Sequence, residues 1–119
     1  MKPSAASAAI MLTVMLLVAP TVGATMTDAQ RRAVLGEALD AYDRGVAVVR
    51  TNPSVARAAF RDAAERFELL VDDGLVNGPL LYNLGNARLQ AGDLGGAVLA
   101  YRWAERHMPS DPRLQTNLM

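Results

Sequence analysis

The sequence contains no cysteine and few aromatic residues. None of its 119 residues is Cys, and Phe, Trp and Tyr together account for 5% of them. The absence of cysteine excludes disulfides, thiolate nucleophiles and cysteine-based metal sites. Because hydrophobic residues still make up 51% of the chain, the core has to be built from Ala, Leu and Val. That composition suits closely packed α-helices, since alanine favours the helix and lets helix axes approach.

An excess of charge of either sign is also missing. The chain has 12 basic and 12 acidic residues, so there is no electrostatic basis for binding nucleic acid. The single histidine, His107, has no Ser, Cys or carboxylate partner that the sequence places beside it, and a general-base role is not expected. One histidine without cysteine also gives no pattern of metal ligands. We therefore expect a protein without catalytic residues, cofactor or metal site.

The first 24 residues have the organisation of a secretory signal peptide. Lys2 supplies the basic start, an apolar run covers residues 8–19, and Val-Gly-Ala precedes the expected cleavage between Ala24 and Thr25. The mature chain would then be exported to the periplasm or the cell envelope. The alternative is an uncleaved inner-membrane anchor, because the charge-free stretch 3–27 is long enough to span a bilayer.

A helix, a tight turn, a second helix and a proline stop are predicted within residues 78–110. A large apolar residue, Leu-Gly three positions later, Ala-x3-aromatic and a final Pro follow one another at the spacing of the tetratricopeptide repeat (TPR). Arg88 stands where that repeat usually has an aromatic residue. The stretch is therefore identified as a TPR, and its signature residues are Leu81, Leu84, Gly85, Ala97, Tyr101, Ala104 and Pro109.

Residues 27–74 are interpreted as an earlier, degenerate TPR-like helical pair. Thr27 and Gln30 form a capping box, which predicts a helix start beside them. Asn52-Pro53 predicts the end of that helix and the start of the next one. The second helix then repeats the later Ala-x3-aromatic-x2-Ala spacing. The expected fold is thus all-α, with two antiparallel helical pairs in the TPR style.

Three glycines have predicted roles in this arrangement. Gly45 would stand at the place in the earlier pair that Gly85 has in the later one, and Gly85 would lie in the middle of a helix. Glycine in that position costs about 1 kcal/mol against alanine, so we expect another backbone to come close there. Gly74 is predicted to end the second helix in the left-handed conformation.

Apolar residues recur at three- and four-residue steps in all four predicted helices, which indicates one apolar face on each. In chain order the four faces are Leu35, Ala38, Leu39, Tyr42, Val46 and Val49; Ala56, Ala59, Phe60, Ala63, Phe67, Leu70 and Val71; Leu80, Leu81, Leu84, Ala87 and Leu89; and Leu94, Ala97, Val98, Tyr101, Ala104 and Met108.

A further repeat is predicted to begin within residues 111–119. Asp111-Pro112 is another cap-and-start signal, and Asn117-Leu118 lies 34 residues after Asn83-Leu84, which is the TPR period. Such repeats need about three units to be stable. We therefore expect either a piece of a longer protein or a chain whose open end is covered by a partner.

Residues 67–118 resemble a particular group, the exported TPR proteins of the Bacteroides aerotolerance (BatE-like) type. The shared runs are acidic-Gly-x2-Asn-Gly, Leu-Tyr-Asn-Leu-Gly-Asn, Gly-Asp-Leu-Gly-x-Ala, Tyr-Arg-x-Ala-Glu-Arg and Pro-x-Asp-Pro-x-Leu. The resemblance implies a non-catalytic, protein-binding scaffold module in the bacterial cell envelope. The alternative is a structural subunit of a membrane-anchored envelope complex of the aerotolerance or stress type.

The TPR resemblance also implies a peptide-binding groove lined by the first helix of each repeat. Tyr82, Asn83, Asn86 and Asn117 are the groove candidates. Some TPR domains hold a peptide's C-terminal carboxylate with a lysine and two asparagines from such positions. Asn86 and Asn117 match the two asparagines by register, whereas Tyr82 stands in the place of the lysine. A scaffold without this carboxylate clamp is the alternative.

Overall fold

The computed structural model describes residues 25–108 and 111–118, and that part of the chain is all-helical, with no β-strand. This confirms the expected all-α class. The expected leader up to Ala24 and the signature residue Pro109 lie outside the described residues. The helices are α1 (Asp28–Val48), α2 (Pro53–Asp72), α3 (Gly78–Gln90), α4 (Leu94–His107) and α5 (Pro112–Leu118).

Side-chain caps fix the start of each of the first four helices. The free N–H groups of a helix's first turn need acceptors, and short polar side chains supply them. The predicted capping box is confirmed: Thr27 Oγ1 accepts from Gln30 N at 3.1 Å, while Gln30 Oε1 accepts from Thr27 N at 2.8 Å. The caps of the other three helices are Asn52, Asn77 and Asp93.

Glycines in the left-handed conformation end α2 and α3. Gly74 has φ 91° and Gly92 has φ 87°, values that glycine adopts without a steric penalty. At each end the residue after the glycine donates back into the last turn, as Leu75 N does to Leu70 O at 3.0 Å and Asp93 N to Arg88 O at 2.9 Å. The predicted role of Gly74 is confirmed.

The main packing joins helices that are consecutive in the chain: α1 with α2, α2 with α3, α3 with α4 and α4 with α5. One buried cluster crosses α1 to α4, and a second one joins α3 to α4. Both are rich in alanine, as the composition predicted. The first contains Ala38, Ala41, Ala63, Ala64, Phe67, Leu70, Leu80, Leu84, Ala87 and Ala100, and the second contains Leu81, Ala97, Tyr101 and Ala104.

The predicted apolar face of α2 is buried or half-buried. The predicted faces of α1, α3 and α4 are partly wrong, because some of their residues are exposed. The helices approach through small residues, namely Ala38, Ala41 and Gly45 on α1 and Ala97, Ala100 and Ala104 on α4. A close alanine-lined contact covers a narrow stripe, so larger side chains at its edges stay in solvent. The exposed members of the predicted faces are Leu39, Val46, Val49, Leu89, Leu94 and Val98.

In both hairpins an aromatic ring from the facing helix lies on a helix glycine, which is in the last turn of α1 for Gly45 and in the middle of α3 for Gly85. A Cβ placed on Gly45 would lie 2.8 Å from the ring of Phe60, and one placed on Gly85 would lie 2.5 Å from the ring of Tyr101. Both rings are buried, at 2% and 1% exposure. The neighbour that requires each glycine is therefore an aromatic ring, which corrects the expectation of a close backbone.

Replacing either glycine by alanine should destabilise the fold, because the new methyl group overlaps a buried ring that cannot move aside. Gly45→Ala and Gly85→Ala are expected to cost about 1–3 kcal/mol each, as overpacking does. Gly36→Ala is the matched control, since a Cβ at Gly36 meets nothing within 4 Å. It should stabilise by about 0.5–1 kcal/mol through backbone entropy. Urea denaturation measures all three, and equal effects at the three positions would contradict this packing.

A clamp at Asp73 fixes the start of α1 on the end of α2. The Asp73 carboxylate accepts from Met26 N at 2.8 Å and from Arg31 Nε at 2.7 Å, and its side chain is only 8% exposed. The Met26 N–H, followed by the Arg31 guanidinium, lowers the pKa of Asp73 even though desolvation acts in the opposite direction. The clamp thus favours the ionised carboxylate in the folded chain.

Because the folded-state pKa of Asp73 is lowered, its contribution to stability is present above the unfolded value of about 4. That contribution is lost as the pH falls through the folded-state pKa. Asp73→Asn should therefore lower the melting temperature at pH 7 and flatten its decline toward acid. The exposed neighbour Asp72 is the control. Asp72→Asn should leave the melting temperature at pH 7 and its decline toward acid unchanged or slightly improved, since an acid at a helix C-terminus is unfavourable. Identical melting curves for the two variants would refute the clamp.

Candidate functional site

The structure brings three of the four groove candidates together where α3, α4 and α5 meet. Asn117 Nδ2 lies 3.5 Å from Tyr82 Oη. The Tyr82 ring lies 5.9 Å from the Tyr101 ring, measured between centroids. Tyr101 Oη donates to Asn86 Oδ1 at 2.5 Å. Tyr82, Asn86 and Asn117 thus belong to one polar cluster that also contains Tyr101, and their role as groove residues stays a prediction.

Asn83 is the exception, because it lies at a different place, the cleft between α1 and α3. This cleft has a volume of ≈ 480 Å³ and is mostly apolar. Asn77 Oδ1 accepts from Leu80 N at 2.9 Å, which leaves the Asn77 N–H groups and the Asn83 amide as the polar groups at the cleft. The lining residues are Leu35, Leu39, Leu75, Asn77, Pro79, Leu80 and Asn83.

Arg113 is a site residue that the sequence reasoning missed. Its guanidinium lies 4.8 Å from the centroid of the Tyr82 ring, a cation–π distance. Arg113 follows Tyr82 by the same 31 residues that separate Asn86 from Asn117, and this shared spacing was the available signal. Asp111 Oδ2 accepts from Arg113 Nη2 at 2.6 Å, so the cation is already neutralised within the chain.

This internal pairing limits what the polar cluster can do. Asn86 Oδ1 is occupied by the Tyr101 hydroxyl, which leaves the Asn86 N–H groups to donate to a ligand. Arg113 is held by Asp111, so it would have to exchange partners before it could bind a carboxylate. The cluster is suited to donating hydrogen bonds to a peptide carbonyl more than to binding a full negative charge.

Each hairpin carries the same aromatic pair beside its glycine. Tyr42 and Phe60 stack edge-to-face at 5.0 Å between ring centroids, and Tyr82 and Tyr101 occupy the corresponding positions. Tyr42 and Tyr82 each stand three residues before the glycine of their helix, a signal that sequence reasoning overlooked. Burial raises the pKa of Tyr42, with Tyr82 and Asp43 adding to the effect.

The hydroxyl of Tyr101 is neutral over the physiological pH range. Burial raises the pKa of Tyr101 to about 12, with Tyr82 and Tyr42 adding to the effect and a hydrogen bond from Asn117 opposing it. A neutral hydroxyl donates a hydrogen bond to Asn86 and is not a general base at neutral pH.

His107 is the last residue of α4 and is exposed. In the described part of the chain, no group of three His, Asp or Glu side chains is placed to hold a metal ion. Within the same residues, no helix combines the length and apolar character needed to cross a bilayer.

No protein-family model, curated protein or solved structure matches the chain. The geometry described above therefore carries the functional argument.

The Tyr101 hydroxyl should stabilise the cluster more than the Tyr82 hydroxyl does. Tyr101→Phe leaves the Asn86 oxygen without its 2.5 Å donor, which should cost about 1 kcal/mol. Tyr82→Phe is the control, because its contact with Asn117 is 3.5 Å long and exposed, and it should cost less than about 0.5 kcal/mol. Guanidinium denaturation of both variants measures the difference. A cost for Tyr82→Phe equal to or above that for Tyr101→Phe would contradict this geometry.

Proposed function

We propose that this chain is a TPR-type module that binds a protein or peptide partner in the bacterial cell envelope and catalyses no reaction. The observation that carries the proposal is the recurrence of one contact set. Tyr42, Gly45 and Phe60 in the first hairpin correspond to Tyr82, Gly85 and Tyr101 in the second. Repetition of a packing unit along the chain is what defines solenoid proteins, in which each unit contacts its neighbours.

The packing of consecutive helices supports the same proposal. α2 packs on α3 and α4 packs on α5, which is the order of contacts expected if the second hairpin is the next unit of a stack. In a right-handed TPR array α1, α3 and α5 would form the inner layer, with α2 and α4 outside. The cleft between α1 and α3 would then belong to the concave surface on which such arrays bind their partners.

The chemistry of that cleft favours an extended peptide with apolar side chains. Leu35 and Leu39 offer apolar surface, and Asn83 offers an amide that can pair with a peptide backbone. Leu39 is 43% exposed although it is a large apolar residue. An apolar side chain of a bound peptide would cover it.

The location of the module depends on the N-terminal leader. Export to the periplasm or cell envelope is proposed from the signal-peptide pattern of residues 1–24 and the cleavage expected between Ala24 and Thr25. The alternative is a structural subunit of an envelope complex in which this segment is retained as an anchor, as the charge-free stretch 3–27 would allow. An exported chain that begins at Thr25 would contradict the anchored form.

Peptides selected from a random display library on the purified chain test the groove. A charge on Leu39 would be buried by an apolar ligand without a partner, so Leu39→Glu should weaken groove-binding peptides by about tenfold or more, which is 1.4 kcal/mol. Leu94 is the control, since it is 64% exposed and lies outside the cleft, and Leu94→Glu should leave affinity unchanged. Peptides that bind both variants as tightly as the original chain would refute groove binding.

The same peptides distinguish a groove from a carboxylate clamp. Because Asp111 already neutralises Arg113, amidation of the peptide's C-terminus should change affinity by less than about threefold. A loss of tenfold or more on amidation would establish the clamp instead.

A further inference from the structure

The outer face of α4 carries a patch that the groove does not include, which we call the Trp103 patch. It consists of Leu99, Arg102, Trp103 and Arg106, which line a shallow depression of ≈ 250 Å³. Leu99 is 66% exposed and Trp103, the only tryptophan, is 39% exposed. Two large apolar side chains and two arginines thus share one solvent-facing surface.

The first hairpin carries different residues at the positions that correspond to the Trp103 patch. The buried residues Ala56, Phe60 and Ala63 of α2 correspond to residues 97, 101 and 104 of α4, each 41 positions later. At the same shift, the four positions of the Trp103 patch correspond to Ala58, Arg61, Asp62 and Glu65. In α2 the four corresponding positions are therefore occupied by a small residue, an arginine and two acids.

The two faces also differ in how their charges are satisfied. In α2 the Asp62 carboxylate accepts from Arg44 at 3.2 Å and from Arg66 at 3.0 Å. In α4, Trp103 stands at the position of Asp62, and Arg106 stands at the position of Glu65. Arg102 has only an exposed contact with Glu105 at 3.4 Å, and Arg106 has no ion pair within the described residues. The Trp103 patch thus presents two arginines that a partner's carboxylates can neutralise.

We propose that the Trp103 patch is a second docking surface, which binds an acidic protein segment with one apolar side chain. The apolar side chain would enter between Leu99 and Trp103, while flanking carboxylates pair with Arg102 and Arg106. Tryptophan and arginine contribute more binding energy than other residue types at protein interfaces, and complementary charge selects the partner. A depression of this size takes a single side chain, which suits a protein segment better than a flat membrane surface.

The test uses charge reversal on the purified chain with a random peptide display library as the probe. Peptides that bind the Trp103 patch should carry Asp or Glu beside an apolar residue. Arg102→Glu combined with Arg106→Glu should weaken them about tenfold or more, and Trp103→Ser should do the same. Arg61→Glu, at the position in α2 that corresponds to Arg102, is the matched control and should not change their affinity. Because these side chains are exposed, all variants should melt within a few degrees of the original chain.

Several outcomes would overturn the proposal. These are selected peptides that lack acidic residues, peptides that bind the charge-reversed variant unchanged, or a library that yields no peptide sensitive to Trp103→Ser. Binding of the chain to phosphatidylglycerol-containing vesicles with loss in Trp103→Ser would assign the patch to a membrane instead. A dimer in light scattering that Trp103→Ser dissociates would assign it to a second copy of the chain. Because Leu39→Glu tests the groove separately, failure at one surface is distinguishable from failure at the other.

Discussion

The placement of an aromatic ring on a bare helix backbone is the contact on which both hairpins depend. Phe60 covers Gly45 and Tyr101 covers Gly85, and in each case a methyl group would already overlap the ring. Glycine in a helix is costly by itself, so the contact has to offset that cost. It does so by bringing two helices close enough for alanines to pack between them. A chain with 5% aromatic residues thus places two of its six rings at the same point of two successive hairpins.

This close approach determines what remains on the surface. Alanine-lined contacts cover a narrow stripe of each helix, so Leu39 and Leu99 stay in solvent, one at the cleft between α1 and α3 and one on the outer face of α4. Each of these two leucines lies in a depression that also contains polar side chains. The proposed functions of both surfaces are therefore consequences of how the hairpins pack.

Helix caps and turns, which depend on residues close in the chain, were predictable from the sequence. The contacts of each helix with its neighbours were less predictable. The capping box at Thr27, the start at Pro53 and the left-handed Gly74 follow from interactions within a few residues, and all three are observed. The exposed positions of Val46 and Val98 could not be predicted in this way, because they depend on which side of the helix its neighbours cover. Periodicity identifies an apolar face, but the width of the buried stripe depends on the size of the residues at the contact.

The same difference between short-range features and contacts between helices applies to the candidate site. Tyr82, Asn86 and Asn117 lie in one cluster, a proximity that follows from one helical period and one repeat length. Asn83 lies instead at the cleft with Leu39, since one residue along a helix turns the side chain by about 100°. The approach of the Arg113 guanidinium to the Tyr82 ring depends on how α5 is placed relative to α3, which helix periodicity alone does not give.

A double-mutant cycle between Gly85 and Tyr101 tests the central packing claim most directly. If the ring on the glycine is the contact that matters, Gly85→Ala should be destabilising in the original chain. In a Tyr101→Leu background, where no ring lies over the helix, the same change should be neutral or stabilising, with a coupling energy of at least about 1 kcal/mol. Additive effects, with a coupling below about 0.5 kcal/mol, would show that the two residues do not meet and would contradict the account.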